Sequence, residues 1–461
     1  MNSQMAWGNP GSYRSKDHSV MKFTRTYLLI GILIFLTMGG YLPSPSMRTS
    51  SLQKTVDSAD TIQGQLFQLL VWSVAVCLIV PHYKSVFRSL QRMKAVVALS
   101  SLAPVSALWS VNPSNSLKRG AFLCLGTILA AYIVDQYSTE DFAKVVVVTG
   151  ILAGTLGIFV SLFLPSIGID SFNNGAWQGI FRSKNGCGEI MLFLCTPLLS
   201  IRQRSLDVKA SGLLLAVIAL VLLYMSDAKT AWILGVCYVC FMFFFNKVRV
   251  LRRKDATLVV LFVLLAIGLL AYAMPIFLPV ILGAIGKDSN ASGRFPLWAA
   301  AMLSFLKRPI FGYGFQSFWT GLTGESLNIF LSIQFEIYQA QNGILELGLE
   351  LGIVGICMFL FTVVGGIRDG LRCFQNGQSE PMSWYVGIIL LTVAYNIDET
   401  SLMSPNSLPW LLYIVACAGL TREADSIRRQ RVFFADANRP SRKFLHSTAS
   451  VGQGLAGANQ S

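Results

Sequence analysis

The feature that most constrains this chain is the recurrence of long apolar blocks. A segment crossing a bilayer needs about 20 mostly apolar residues, and in hydrocarbon only a helix or a closed barrel satisfies every backbone N–H and C=O. Blocks of helical length fall near residues 26–42, 64–80, 95–109, 118–134, 145–164, 185–201, 211–226, 230–246, 256–281, 342–365, 382–396 and 406–421. The fold class this predicts is an all-α polytopic integral membrane protein of about 12 transmembrane helices. The composition agrees: 53% of the 461 residues are hydrophobic and 13% are charged, against about 25% charged in soluble domains. The nine cysteines include the C-x-x-C of Cys237 and Cys240. Those two stand mid-block without a second pair, which reads as small apolar packing residues rather than a metal or redox site.

Lys and Arg give the orientation. Alternate connections carry Lys84, Arg88, Arg92 and Lys94; Arg202, Arg204 and Lys209; Lys247, Arg249, Arg252, Arg253 and Lys254; and Arg368 and Arg372. The positive-inside rule puts these, with both termini, in the cytoplasm of a bacterial inner membrane. Three parts follow: a cytoplasmic N-terminal segment 1–25, a polytopic domain 26–421, and a basic tail 422–461 expected to be disordered. Block 26–42 ends in Leu42-Pro43-Ser44-Pro45 without a cleavage pattern, so it reads as a span and not a removed leader. The net charge of +14 is mostly this bias. The basic tail reads as a solvated segment near lipid headgroups and not as a nucleic-acid binder.

The same orientation gathers three polar segments on the periplasmic face: Trp177 to Asn185, Ser226 to Thr230, and a long loop of about 282–341. Cations there run against the orientation bias and need another reason, such as an anionic ligand. Within the loop, residues 295–306 form an apolar stretch too short to span. Pro296 suits its first turn, and Arg294 stands at its start. The expected form is a large outer-face loop with short helices, packed on the bundle or lying in the interface. Gly312 and Gly314 permit a sharp turn after Pro309.

Seven short motifs in this order resemble the O-antigen ligase / Wzy-type polysaccharide polymerase superfamily, and within it the exopolysaccharide polymerases of the ExoQ kind. They are Leu108-Trp109-Ser110 with Asn112-Pro113; Gln178-Gly179-Ile180-Phe181 with Lys184-Asn185; Ser226 to Trp232; and Ser292-Gly293-Arg294 with Trp298. Then come Arg308-Pro309 with Phe311-Gly312-Tyr313-Gly314; Ala340-Gln341-Asn342 with Leu345 and Gly348; and Asn396 with Glu399-Thr400-Ser401. No single motif is specific; their order on a matching topology is. The resemblance implies transfer of a glycan from undecaprenyl pyrophosphate to an acceptor hydroxyl on the outer face, without a metal or other cofactor. It further implies a lipid-linked oligosaccharide and a growing glycan as partners, with a chain-length regulator and a flippase alongside.

A departing pyrophosphate needs cations, and Arg forks bind phosphate oxygens bidentately where Lys acts as a point charge. Arg294 and Lys229 are the catalytic candidates of that kind, with Arg182, Lys184, Asn185, Trp298, Asn342 and Glu399 as substrate-binding candidates. Ligases of the family carry a His where this chain has Gln341, and the three histidines here, His18, His82 and His446, fall on the inner side. Glutamine takes no proton near neutral pH. Either a carboxylate is the base, Glu346 being the candidate closest along the chain with Glu325 and Glu336 in reserve, or the site works by positioning alone. A ligase joining one glycan to an acceptor is the related alternative. A polysaccharide transporter is the reading from another class, and it fits less well because the two halves show no repeat.

The orientation has a direct check. Reporter fusions should place both termini and the 247–254 basic connection inside and residue 290 outside, and outer-face activity of a C-terminal fusion would contradict it.

Overall fold

The computed structural model describes residues 10–40, 62–170, 175–200, 206–248, 294–321, 323–333, 337–376 and 380–437. The chain is an all-α polytopic membrane protein. Each apolar block within those residues is helical, and block 256–281 lies outside them. In order the helices are α1 Pro10–Thr37, α2 Ile62–Ile79, α3 Tyr83–Arg92, α4 Lys94–Val105, α5 Pro113–Gln136, α6 Thr139–Phe163 and the short α7 Pro165–Gly168. A two-residue hairpin pairs Ile169 with Trp177. Then follow α8 Lys184–Ser200, α9 Leu206–Ser226, α10 Lys229–Val248, α11 Arg294–Lys307, α12 Gly324–Ile333, α13 Gly343–Phe374, α14 Glu380–Tyr395 and α15 Leu408–Ala437. Among the described residues, five helical segments are long and apolar enough to cross a membrane by length and composition, among them α5, α6 and α13.

Three differences from the sequence reading have simple causes. Helix α1 begins at Pro10, well before residue 26, because no breaker interrupts the polar run and Pro suits a first turn. Helix α15 likewise runs through the basic segment to Ala437, past the expected end at 421 and into the tail expected to be disordered. Helix α3 was hidden by its length and charge: it buries Val86 and Ser89 and leaves Tyr83 and Phe87 exposed among Lys84, Arg88 and Arg92.

Helix α6 shows how the bundle meets lipid. Ser138 caps its start by accepting from Asp141 N. One stripe, with Val146, Ala153 and Val160, is buried, while Leu152, Leu156, Phe159 and Phe163 form an exposed apolar stripe at helical spacing. A helix apolar all round is at home in hydrocarbon. The core between helices is rich in aromatics; Trp384 stacks on Tyr385 at 5.4 Å and Trp410 on Tyr413 at 4.9 Å.

Two ends of the bundle differ in chemistry. At one end Arg25 meets His82 at 3.1 Å and Arg422 donates to the Val134 carbonyl. The other end gathers the connections that carry the seven motifs. There α13 breaks at Gly352, whose φ of 66° and ψ of −163° are open only to glycine. The groups released by the break are taken up by the loop after Pro309. Tyr313 N donates to Leu349 O at 2.8 Å and Gly314 N to Glu350 O at 2.9 Å, while Ile353 N donates to Pro309 O at 2.8 Å. The turn between α4 and α5 closes over the other side of that loop: Val111 N donates to Tyr313 O at 2.9 Å and the Trp109 indole to Phe311 O at 2.9 Å. Ser116 and Ser317 hydroxyls meet at 2.9 Å beneath it.

A Cβ at position 352 would come 2.2 Å from Ile310 O. Gly352→Ala should therefore cost at least the ~1–3 kcal/mol of a strained backbone position, read as a lower thermal midpoint in detergent. Gly365→Ala on the same helix, where a Cβ meets nothing within 4 Å, should leave that midpoint unchanged.

Candidate active site

Helix α11 carries Arg294 at its first position and buries Leu297, Ala301 and Ser304 against the bundle. Of the two expected placements, lying in the interface or packing on the bundle, this buried face fits the second. Trp298, one turn on, donates its indole N–H to Ala340 O at 2.9 Å and so ties α11 to the entry of α13. Asn342 caps α13, its Oδ1 accepting from Ile344 N at 3.1 Å and Leu345 N at 3.0 Å. Its Nδ2 donates to Ile397 O at 3.0 Å, and Gly343 N donates to Asn396 O at 2.8 Å. The entry of α13 is thereby fixed to the turn after α14.

That turn is shaped by Asn396, whose Oδ1 accepts from Ser401 N at 2.9 Å and Leu402 N at 2.8 Å. The turn delivers Asp398 and Glu399 to Arg294. Arg294 Nη1 donates to both the carbonyl and the carboxylate of Asp398, and Nη2 lies 3.4 Å from Glu399 Oε1. Asn185, at the start of α8, donates to the same Oε1 at 2.7 Å. Thr230, beside Lys229 at the start of α10, donates to the other Asp398 oxygen at 2.7 Å. Five connections far apart in sequence thus gather around Arg294, Asp398 and Glu399, with the 396–401 turn bonding the guanidinium itself. Charge-assisted bonds of this kind contribute about 1.5–3 kcal/mol each, and a fork suits two carboxylates where an ammonium would not. Burial lifts the Glu399 carboxyl above the usual glutamate range, against the opposing pull of Arg294 and Asn185.

Of the residues singled out from sequence, Arg294, Asn185, Asn342 and Glu399 therefore come together, with Trp298 in support. Lys184 pairs with Asp227 at 3.8 Å. Lys229 is exposed and makes no ion pair with a described residue. Asp227 is thus paired by Lys184 from the start of α8 and not by its neighbour Lys229. Arg182 is exposed just ahead of Lys184. Gln341 has a φ of 49°, and its half-buried amide makes no hydrogen bond with a described residue. Lys307 is taken by Glu325 at 2.7 Å, a bond that holds the Glu325 carboxyl below the usual range. Arg308 lies 4.9 Å over the Tyr313 ring.

Glu346 stands apart from this cluster. It is 5% exposed, and its two oxygens accept from the Trp319 indole at 2.7 Å and from Ala340 N at 2.6 Å. Each oxygen of Glu346 accepts one hydrogen bond, and the two together pin the loop to the start of α13. Glu350, one turn on, is likewise buried and accepts from Gln316 at 3.1 Å. Glu336 lies outside the described residues. Asp398, Thr230 and Glu189 belong to the site and escaped the sequence reading. Adjacent acids at the end of an apolar block were the signal for Asp398.

Comparison with known proteins bears on the same residues. Residues 214–360 match the O-antigen ligase family. The matched segment includes Lys229, Arg294, Trp298, Gln341, Asn342 and Glu346, whereas Asn185 and Glu399 lie outside it. The chain is similar to the exopolysaccharide production protein ExoQ of Rhizobium meliloti (strain 1021), with 24% identity over 374 residues, 77% of this chain and 83% of that protein. It is also similar to the "Putative polysaccharide ligase RP358" of Rickettsia prowazekii (strain Madrid E), with 23% identity over 339 residues, 69% of this chain and 79% of that protein. The resemblance to that family holds, and four of the seven motifs fall within the matched segment.

The clasp at Glu346 is testable apart from any chemistry. Glu346→Ala leaves the buried Ala340 amide and the part-buried Trp319 indole without an acceptor, at about 1–3 kcal/mol for the buried one. The loop should become sensitive to protease and the thermal midpoint should fall. A variant of unchanged stability would remove Glu346 from this role.

Proposed function

We propose that the protein polymerises undecaprenyl-pyrophosphate-linked oligosaccharide repeat units into exopolysaccharide at the periplasmic face of the inner membrane. The observation that carries this reading is the convergence on Arg294. Acids, amides and cations from five connections meet at the end of the bundle that the Lys and Arg distribution makes the outer one. Similarity to ExoQ over most of both chains supports polymerisation in particular, since that protein is named for exopolysaccharide production.

The roles follow from the chemistry. An acceptor hydroxyl attacks the anomeric carbon, and the bond to pyrophosphate breaks with its electrons passing to the leaving group. Lys229 and Arg182, both exposed and close in sequence to Thr230 and Asn185 of the cluster, meet the leaving pyrophosphate. Arg294 orders the two carboxylates and polarises what binds against them. Donors aimed at developing charge supply about 10²–10³-fold in rate. Gln341 and Asn185 orient glycan hydroxyls. A ligase that makes one transfer to a fixed acceptor is the second reading, and the family match together with the Rickettsia relative favours it. A chain-length regulator and a flippase belong to the polymerase reading as partners.

Purified protein supplied with a lipid-linked oligosaccharide separates the two: a ladder of products means polymerisation and a single product means ligation. In that assay Arg294→Ala should abolish product at matched membrane abundance. Arg294→Lys should restore only part, because one ammonium replaces a fork that binds two carboxylates through two nitrogens. Lys229→Ala should weaken use of the donor, and full activity would remove Lys229 from the pyrophosphate site.

A further inference from the structure

We propose that Glu399 is the general base that takes the proton from the acceptor hydroxyl, the task an outer-face imidazole would otherwise perform. The inference rests on the transferase reading above and deepens it. Gln341 takes no proton near neutral pH, and both oxygens of Glu346 and of Asp398 are held by donors or by Arg294. Glu399 differs. Its Oε1 is fixed by Asn185 at 2.7 Å and by Arg294 at 3.4 Å, while its Oε2 receives no hydrogen bond from a described residue. One oxygen is anchored and the other is offered, as a base requires.

A second observation points to an occupant. Glu189 Oε1 and Thr400 Oγ1, beside Glu399, are buried with no partner among the described residues. Buried polar atoms are rarely left so, and a glycan hydroxyl or a water bound there would satisfy them. In the step, the acceptor O–H proton passes to Glu399 Oε2 as the acceptor oxygen bonds to the anomeric carbon. The bond from that carbon to the pyrophosphate oxygen breaks, and its electron pair leaves with the pyrophosphate. The proton returns to water once product departs. The charged or titratable groups facing Glu399 are Arg294 on α11, Asp398 on the same turn, Glu189 on α8 and Tyr395 at the end of α14. Because burial raises the Glu399 carboxyl, the rate should fall with decreasing pH at a higher pH than an ordinary glutamate would give.

The experiment compares the wild-type protein with E399Q, E399D and E399A, using a lipid-linked oligosaccharide donor and a glycan acceptor. In E399Q the transfer rate should drop about 10²–10⁴-fold, donor binding should stay within about threefold, and the acid limb of the pH profile should vanish. E399D should recover part of the rate, and formate should partly restore E399A. An E399Q rate within tenfold of wild type with its acid limb intact overturns the proposal. A wild type that transfers once without chain growth overturns polymerisation alone, and the same comparison on single transfer then decides Glu399. A wild type that performs no transfer overturns both.

Discussion

The structure depends on an exchange of backbone hydrogen bonds. A helix broken within a membrane protein leaves carbonyls and amides that hydrocarbon cannot satisfy. Helix α13 breaks at Gly352, and the loop after Pro309 takes both acceptors and donors that the break sets free. Because the loop is itself held by Trp109 and Val111, three distant parts of the chain are fixed at one depth. The entry of α13 is then rigid enough for Asn342 and Gly343 to hold the turn that carries Asp398 and Glu399.

From that frame the electrostatics of the site follow. One guanidinium faces two carboxylates, with a third acid, Glu189, close by. Acids outnumber the cation at the centre, while Lys229 and Arg182, close in sequence to Thr230 and Asn185, are exposed. On the function proposed above, such an arrangement would separate two tasks: handling a proton at the centre and meeting an anionic leaving group elsewhere.

Most of the fold was legible because apolar blocks of fixed length leave little choice of structure. What escaped did so for local reasons. Helix α3 is short and basic, so hydropathy passes over it. The ends of α1 and α15 are polar, and helix continuation there needs no apolar signal. In the site, Arg294, Asn185 and Glu399 were legible as members of motifs, but their meeting was not, since 104 or more residues separate Arg294 from its acidic partners. Glu346 was legible only in part. Proximity to Gln341 along the chain suggested chemistry, while burial and two short bonds give it a structural task.

The break at Gly352 also bears on the order of assembly. The half of α13 beyond the glycine relies on bonds from residues 309–314, which in turn rely on residues 106–116. Helix α13 therefore reaches its final shape only after the polar loop has docked on the turn between α4 and α5. Local helices form early and the costly long-range closure comes late. The amides of Ile353 and Val354 would report that late event, since their protection against hydrogen exchange depends on Pro309 and Ile310 rather than on the preceding turn of their own helix.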